Sequence, residues 1–314
     1  MARFVLLLPC MTQPRPVVPG DTLMITRRTL LRHHLFRPDP AIRQIYLYTL
    51  ALCARQFGIM VHAVTLMSTH EHLIVTDPQG RYPKFLQRLH RLVSLGTKGL
   101  RKWGGPTWDH EQTSVVRLLT EQAVIEKLAY VMANPVQAGL VRHARDWPGI
   151  IVLPQALGRC TWRVERPDAY FDPKNPEWID TAELSLTLPP ALEQAYSPEA
   201  LRDAVRIELE RQERLAHQEV KRRGGRVLGA ERVRRLSPYR RATSFFGAET
   251  PPSQSGGDRG SSSLQPWQSS ERFDGLTGRR STSGARGFVK RYSLRVPGAC
   301  AGCTAWSFGA SAHP

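Results

Sequence analysis

The order of apolar segments along the chain predicts an α+β fold in which an antiparallel sheet carries helices on one face. From residue 21 to residue 135 the pattern is strand, helix, strand, strand, helix, strand, helix. Pro and Gly residues stand at many of the boundaries between these segments, where they end one element or begin the next. A split strand-helix-strand unit that is repeated in this way is typical of a ferredoxin-like sandwich, with its central helices over one sheet face.

The first elements follow from β-branched content and from capping signals. Residues 22–30 (TLMITRRTL) are rich in β-branched side chains and predict a strand. Asp39 and Pro40 offer an N-cap and a first helical residue to the following run, AIRQIYLYTLALCARQF, which Gly58 ends. Residues 59–67 (IMVHAVTLM) predict a buried strand, which leads directly into a further strand in MSTHEHLIV.

The next elements follow the same logic. A turn at residues 77–80 (DPQG) ends the histidine-containing strand, and residues 82–103 predict a basic amphipathic helix. Residues 114–119 (SVVRLL) predict a strand, and residues 120–134 (TEQAVIEKLAYVMAN) predict a helix. We expect this helix to stop near Asn134, because the next residue is a proline.

The remaining segments differ in composition and apolar pattern from this domain, whose predicted limits are residues 21–150. Residues 1–20 predict a disordered leader. Residues 151–246 predict a helical, Arg-rich extension, in which a long charged helix begins after Ser197. Residues 247–314 are rich in Gly, Ser, Pro and Arg without apolar periodicity, and they predict a disordered tail.

The composition indicates a soluble protein with a polyanionic partner. Lys and Arg number 44 against 27 Asp and Glu, which gives a formal net charge of +17. Nucleic acid is the first candidate for that partner, and an anionic membrane surface is the second. The five scattered cysteines do not form a secreted disulfide pattern, and no stretch approaches roughly 18 apolar residues. We therefore expect a cytoplasmic location and no membrane span.

Two histidines, His70 and His72, stand one residue apart in MSTHEHLIV. Because side chains alternate along a strand, both should project from one sheet face, about 6 to 7 Å apart at the backbone, with Glu71 on the other. Two neutral imidazoles at this spacing can share a divalent metal ion. A His-x-His pair taken alone is more often an ordinary pair of strand histidines near a loop.

A second pair of polar residues lies in the segment LAYVMANPVQAGLV, residues 128–141. Tyr130 and Asn134 are four residues apart, so they share one helix face. A tyrosine hydroxyl beside an amide oxygen at a helix end offers a nucleophile next to a metal ligand. A core tyrosine with a capping asparagine would give the same pattern, so this pair too is unspecific by itself.

Together these motifs resemble those of one family of enzymes. The strand MSTHEHLIV resembles the His-hydrophobic-His strand of the single-tyrosine HUH transposases. The segment YVMANPVQAGLV, followed by Asp146-Trp147-Pro148, closely resembles the Tyr-x-x-x-Asn-Pro-Val-x-Ala-Gly-Leu-Val segment of the REP-associated tyrosine transposases, relatives of the "IS two hundred" insertion-sequence enzymes. The resemblance covers roughly residues 20–150, and neither motif is expected to accompany the other by accident.

This resemblance implies a ferredoxin-like fold, a chemistry and a set of site residues. His70, His72 and Asn134 would hold a Mg²⁺ or Mn²⁺ ion, and Tyr130 would attack single-stranded DNA to give a 5′-phosphotyrosine link and a free 3′-OH. The cation would stabilise developing negative charge on the phosphate by several kcal/mol. It would also help a tyrosine, whose ordinary pKa is about 10, to act as a nucleophile. The family's usual target is DNA folded as an imperfect hairpin, and the protein could act as a monomer or as a homodimer.

Glu71 departs from the family pattern, which has a hydrophobic residue between the two histidines. Its side chain should point to the opposite sheet face, where an isolated carboxylate would be costly to bury. Either that face is hydrated, or Glu71 has a cationic partner such as a nearby arginine.

Two basic segments could bind the nucleic acid. The helix at residues 82–103 combines cations with Trp103, and the segment Pro238-Tyr239-Arg240-Arg241 combines arginines with a tyrosine. Between Lys221 and Arg241 nine residues are Lys or Arg and one is acidic. The candidate DNA-binding residues are Arg88, Arg91, Lys98, Arg101, Lys102, Arg240 and Arg241.

Three functional hypotheses follow. The first is a metal-dependent single-tyrosine DNA transposase. The second is a catalytically inactive, transposase-derived protein that binds nucleic acid, which would show salt-sensitive hairpin binding and no covalent adduct. The third is a zinc-stabilised structural protein, in which thiolates from Cys53 and Cys160 would join His70 and His72.

Overall fold

The structure is a computed structural model, and it describes residues 16–242. The predicted tail at residues 247–314 lies outside the described residues, as do residues 1–15 of the predicted leader. The strands are β1 Asp21–Arg28, β2 Met60–Leu66, β3 His70–Asp77, β4 Ser114–Arg117, β5 Thr161–Glu165 and β6 Thr181–Ser185. The α-helices are α1 Pro40–Phe57, α2 Tyr82–Arg101, α3 Glu121–Gln137, α4 Pro190–Ala195, α5 Pro198–Arg222 and α6 Ala230–Arg235.

The first four strands form one antiparallel sheet in the order β2-β3-β1-β4. The connection from β1 to β2 contains α1, and the connection from β3 to β4 contains α2. This connectivity and strand order are those of the ferredoxin-like sandwich, so the predicted fold class is confirmed. The register places His72 between Thr26 on β1 and Thr65 on β2.

The two faces of this sheet are covered by different helices. Helices α1 and α2 pack on the face to which Glu71 points, because Tyr46 of α1 and His90 of α2 both contact its carboxylate. Helix α3 lies on the opposite face, where Asn134 contacts His70. The predicted cover of one face by the central helices is confirmed, and α3 adds a cover on the other.

The ends of α1 agree with the capping signals in the sequence, whereas the end of α3 does not agree with its predicted stop. The side chain of Asp39 accepts a hydrogen bond from the Ile42 amide at 2.9 Å, and Gly58 ends α1 in the left-handed region at φ +66°. Helix α3 does not stop at Asn134 as predicted. It continues through Pro135 to Gln137, because the missing proline N–H removes only one hydrogen bond and the Ala138 amide still donates to the Asn134 carbonyl.

The extension after residue 150 packs on the elements that precede it. Strands β5 and β6 form an antiparallel hairpin that packs against α1. The sequence predicted a helical extension and did not predict these two strands. Helix α5 begins after Ser197, as predicted, and it runs along α3. The Gln212 side chain of α5 donates to the Glu126 carbonyl and accepts from Gln137, both at 3.1 Å. The extension therefore supports the helix that carries Tyr130.

Candidate metal and nucleophile site

Four residues from the two sequence motifs meet on one face of the sheet. The Nε2 atom of His70 lies 3.0 Å from Oδ1 of Asn134. The imidazole rings of His70 and His72 lie edge to face with their centroids 4.8 Å apart. The ring of Tyr130 lies edge to face with that of His72 at 5.7 Å. The structure thus brings β3 and α3 together at the positions where the sequence predicted a shared site.

The segment after α3 holds this helix in place. The indole N–H of Trp147, from the Asp-Trp-Pro part of the motif, donates to the Leu66 carbonyl at 3.1 Å. Trp147 is 1% exposed. Because Leu66 is the last residue of β2, this buried contact ties the end of α3 to the strand beside His72. The tryptophan thereby helps to position Tyr130 and Asn134 over the histidines.

Both histidines are held in the neutral form. Burial is the main cause that lowers the pKa of His70 to about 4, and the charges of Arg28 and Arg32 lower it further, while the Asn134 hydrogen bond opposes them. Burial, followed by the charges of His70 and Arg28, lowers the pKa of His72 well below its ordinary value. Neutral imidazole is the form that binds a metal ion.

Two threonines orient the imidazole rings. The Nδ1 atom of His72 lies 2.8 Å from Oγ1 of Thr26, and the Nδ1 atom of His70 lies 2.9 Å from Oγ1 of Thr69. If the Nδ1–H of His72 donates to Thr26, the His72 Nε2 atom carries a lone pair for a cation. The His70 Nε2 atom faces the Asn134 oxygen, which can only accept, so this nitrogen donates its N–H there. A cation would bind the other tautomer of His70, whose Nδ1–H donates to Thr69. The sequence reasoning missed both threonines. Thr69 precedes His70 directly and could have been noticed, whereas Thr26 required the pairing of β1 with β3.

The polar atoms beside His72 fit a bound cation. The Nε2 atom of His72 is buried and, within residues 16–242, has no hydrogen-bond partner. The hydroxyl of Thr65, directly across from His72 on β2, is also buried without a partner in the described part of the chain. Unsatisfied buried polar atoms are uncommon and often mark a functional site. With the Asn134 oxygen, this set contains both the nitrogen and the oxygen donors that Mn²⁺ or Mg²⁺ accepts.

The zinc-stabilised alternative lacks its thiolates. In the part of the chain that the structure describes, no group of three or more His, Cys, Asp or Glu side chains could hold a metal ion. Cys53 is buried in α1, on the other side of the sheet from the histidines, and burial raises the pKa of its thiol to about 12. A cation at this site would therefore depend on the two imidazoles and on oxygen donors.

Tyr130 is partly buried beside a groove. Burial raises the pKa of Tyr130, while the charge of Arg28 and a hydrogen bond with Asn134 oppose that increase. The Lys127 ammonium lies 5.4 Å from the centroid of its ring. Tyr130 also lines a cavity of about 420 Å³ between α3 and α5. A ligand can therefore approach the tyrosine from the side of α5.

Glu71 belongs to a buried chain of hydrogen bonds on the opposite sheet face. The Tyr46 hydroxyl donates to one carboxylate oxygen at 2.7 Å, and the Nε2–H of His90 donates to the other. The Nδ1 atom of His90 accepts from Arg27 at 2.7 Å. The expectation of a cationic partner is met only indirectly, because His90 stands between the carboxylate and Arg27.

The cations predicted to bind DNA fall into three groups. The prediction that Arg101 binds DNA is corrected, because this side chain is 7% exposed. Its guanidinium donates to Asp39 at 2.5 Å and to the Leu35 carbonyl at 3.2 Å. Arg88 pairs with Glu177 and, like Arg91 and Lys98, belongs to α2, in the helix layer across the sheet from His70 and His72. The third group, Lys102, Arg240 and Arg241, is exposed. Arg28 and Arg32, which the sequence reasoning missed, are the arginines whose charge acts on His70.

The solved structures that are similar to this chain include two transposases. No protein-family model matches the chain, and no curated protein matches it in sequence. Among residues 16–242, no helix has the length and apolar character needed to cross a membrane. The chain is similar to a REP-associated tyrosine transposase bound to a REP hairpin, with 16% identity and a TM-score of 0.38 over 44% of this chain and 80% of that one. It is also similar to a candidate transposase from Deinococcus radiodurans R1, with 20% identity and a TM-score of 0.29 over 38% of this chain and 95% of that one.

Proposed function

We propose that the chain is a single-tyrosine DNA transposase of the HUH type, which cleaves and joins single-stranded or hairpin DNA with the help of Mg²⁺ or Mn²⁺. The observation that carries this proposal is the meeting of two distant motifs on one sheet face. The Nε2 atom of His70 is 3.0 Å from the Asn134 amide oxygen, and the ring of His72 is 5.7 Å from that of Tyr130. The motif residues thus provide nitrogen and oxygen donors beside a nucleophile.

The roles of the four residues follow from their chemistry. His70 and His72 are neutral and would present Nε2 lone pairs to a cation, in the case of His70 after its proton moves to Nδ1, and Asn134 would present its amide oxygen. A divalent cation at these atoms would withdraw negative charge from a bound phosphodiester. Arg28 and Arg32, whose charges act on His70, would attract the same phosphate.

The covalent step is an in-line displacement at phosphorus. The Tyr130 oxygen would form a bond to phosphorus while the bond from phosphorus to the 3′ oxygen breaks. The phenolic proton would pass, directly or through solvent, to the departing 3′ oxygen, which leaves as a 3′-OH. The resulting 5′-phosphotyrosine conserves the phosphodiester energy, so a second 3′-OH could reverse the step and rejoin the strand without ATP.

The environment of Tyr130 makes this step dependent on nearby positive charge. Burial raises the pKa of the phenol, and the charge of Arg28 acts in the opposite direction. A bound cation would act in the same direction as Arg28. Adduct formation should therefore require the divalent metal.

The decisive experiment is the formation of a covalent adduct. The full chain would be incubated with Mn²⁺ and a labelled hairpin oligonucleotide that carries a single-stranded flank, and adducts would be separated on a denaturing gel. Tyr130→Phe should abolish the adduct, because phenylalanine has no nucleophilic oxygen. Tyr170→Phe is the matched control, because Tyr170 is exposed and far in sequence from both motifs, and it should leave the adduct unchanged. An adduct of normal yield with Tyr130→Phe would show that the nucleophile is a different residue.

The same burial of Tyr130 favours a second candidate, a transposase-derived protein that binds nucleic acid and no longer cleaves it. A phenol whose pKa is raised by burial is a weaker nucleophile at neutral pH. This candidate predicts salt-sensitive binding of the hairpin oligonucleotide with no adduct under any divalent metal. The formation of a homodimer stays a prediction.

A further inference from the structure

The two predicted DNA-binding segments meet in one surface beside the site. We propose that this surface, made by Lys102, Trp103, Tyr239, Arg240 and Arg241 and called the platform below, binds single-stranded DNA and leads it to Tyr130. The proposal rests on the proposed function. It adds the residues that hold the strand and the way in which they do so.

Main-chain hydrogen bonds hold the second segment in place. The His34 amide donates to the Arg240 carbonyl at 3.0 Å, and the Ala242 amide donates to the Arg32 carbonyl at 2.9 Å. Between these two bonds, His33 and Arg241 form an isolated antiparallel bridge. Because these bonds use backbone atoms, they do not involve the side chains of Arg240 and Arg241, which are exposed to solvent.

The first segment meets the second through two aromatic rings. Trp103 and Tyr239 lie with their ring centroids 6.3 Å apart and an interplanar angle of 23°. The Tyr239 hydroxyl donates to the Arg101 carbonyl at 2.6 Å, which fixes the orientation of the ring. Tyr239 is nevertheless 52% exposed. An immobilised and accessible aromatic ring is a surface on which a base can stack, an interaction worth about 1 to 3 kcal/mol per base.

The cations of the platform differ from the paired arginines of the extension. On α5 and α6, Arg206, Arg211, Arg222, Arg223, Arg234 and Arg235 each pair with a glutamate or aspartate of the same helix. Within residues 16–242, the side chains of Lys102, Arg240 and Arg241 make no ion pair and are exposed. Their charge is not neutralised locally, so it is available to phosphate groups.

The platform is continuous with the metal and nucleophile site. The Thr29 amide donates to the Thr69 carbonyl, beside His70, at 2.8 Å, and the Thr29 hydroxyl donates at 2.7 Å to the carbonyl of His33, which bridges to Arg241. Arg28 faces His70 across β1 and β3. A strand stacked on Tyr239 would therefore meet a series of arginines that ends at the histidines.

The test measures DNA binding separately from cleavage. Fluorescence anisotropy of a labelled oligothymidylate would be recorded with the full chain in the absence of divalent metal, over a range of salt concentrations. Tyr239→Leu should weaken binding by about 5- to 150-fold, the loss of one stacked base. Tyr239→Phe keeps the ring and should retain most of the affinity. Circular dichroism and thermal melting would verify that each variant is folded.

The charged residues provide a second measurement with a matched control. The double variant Arg240→Gln with Arg241→Gln should weaken binding at low salt and reduce the slope of log affinity against log salt by about 1 to 2. The double variant Arg159→Gln with Arg206→Gln removes the same charge from the extension and should change binding much less, because both arginines are already paired. An equal loss in the two double variants would overturn the platform.

The remaining outcomes separate this proposal from the proposed function. Wild-type affinity of Tyr239→Leu would refute the platform whether or not the adduct forms. Loss of binding by Tyr239→Leu, together with an absent adduct in the wild-type chain, would support the platform and refute the cleavage chemistry. An oligouridylate that binds more tightly than the oligothymidylate would overturn the assignment to DNA.

Discussion

The two faces of strand β3 differ in how completely their polar side chains are hydrogen-bonded. On the Glu71 face, both carboxylate oxygens have hydrogen-bond donors, and His90 links the carboxylate to Arg27, whose Nε atom alone in this network has no partner within the described residues. On the His72 face, the described part of the chain leaves the His72 Nε2 atom and the Thr65 hydroxyl without partners. The comparison teaches that adjacent residues can serve stability on one face and ligand binding on the other. Complete satisfaction rigidifies a buried network, whereas incomplete satisfaction leaves atoms for a ligand.

The Glu71 network joins four elements of the sandwich. Arg27 lies on β1, Glu71 on β3, Tyr46 on α1 and His90 on α2. Arg27 and Glu71 are direct cross-strand partners, and the guanidinium of Arg27 lies 5.2 Å from the centroid of the Trp108 ring. The network fixes the backbone of the residue between His70 and His72. It therefore supports the site without contacting it.

The largest effect is expected when Glu71 is removed. Glu71→Ala should lower the free energy of unfolding by about 3 to 5 kcal/mol, because it leaves the buried Tyr46 hydroxyl and the buried His90 imidazole without their acceptor. Urea unfolding of the full chain measures this change. Glu71→Gln keeps an acceptor oxygen for His90 and should cost clearly less. A loss below about 1 kcal/mol for Glu71→Ala would mean that the hydrogen bonds on the Glu71 face contribute little to stability.

A pH effect of similar size is expected from His62, on β2. Burial lowers the pKa of His62 to about 4, so the unfolded chain takes up this proton first as the pH falls below about 6.5. The stability that His62 contributes is therefore lost between pH 6.5 and pH 4, by about 3 kcal/mol in total. Unfolding free energies of the wild type and of His62→Gln, measured across this range, should converge toward acid. Parallel curves would contradict the prediction.

A smaller effect is expected at the threonine that orients His72. Thr26→Val removes the partner of the His72 Nδ1 atom and should weaken Mn²⁺ binding by about 10- to 100-fold. Isothermal titration calorimetry with the metal alone measures this affinity and needs no DNA. Thr22→Val is the control, because Thr22 lies on the same strand but bonds to Thr76, and its Mn²⁺ affinity should be that of the wild type. Equal affinities in all three proteins would remove Thr26 from the site.

The smallest effect is expected at the unpaired hydroxyl. Thr65→Val replaces a buried hydroxyl without a partner, within the described residues, by a methyl group of similar size. The free energy of unfolding should therefore stay within about 1 kcal/mol of the wild type or increase. Thermal melting measures the difference. A loss of several kcal/mol would show that the Thr65 hydroxyl has a structural partner and that the His72 face is satisfied.

Three residues show where the local sequence pattern was not enough to predict the structure. Arg101 has the local pattern of an exposed helix cation, but residues 35–39 fold over it and supply an acidic partner and carbonyl acceptors. Pro135 has the local pattern of a helix stop, but the following amides still find acceptors in α3. Glu71 stands where a hydrophobic residue is expected, and the partners of its network come from two helices and a neighbouring strand. For Arg101 and Glu71 the partners are distant in sequence, so the local pattern contained no sign of them, whereas the acceptors that continue α3 past Pro135 lie within the same helix.

The sequence by itself determined the features that depend on short-range periodicity. The period of two placed His70 and His72 on one face, the helical repeat placed Tyr130 beside Asn134, and Asp39 and Gly58 marked the ends of α1. Only the tertiary structure decided that His72 meets Thr26, that Glu71 meets His90, and that Tyr239 packs beside Trp103. The physical reason is that helix and strand periods are properties of neighbouring residues. Hydrogen bonds between elements depend instead on sheet register and helix packing, which many distant residues fix together.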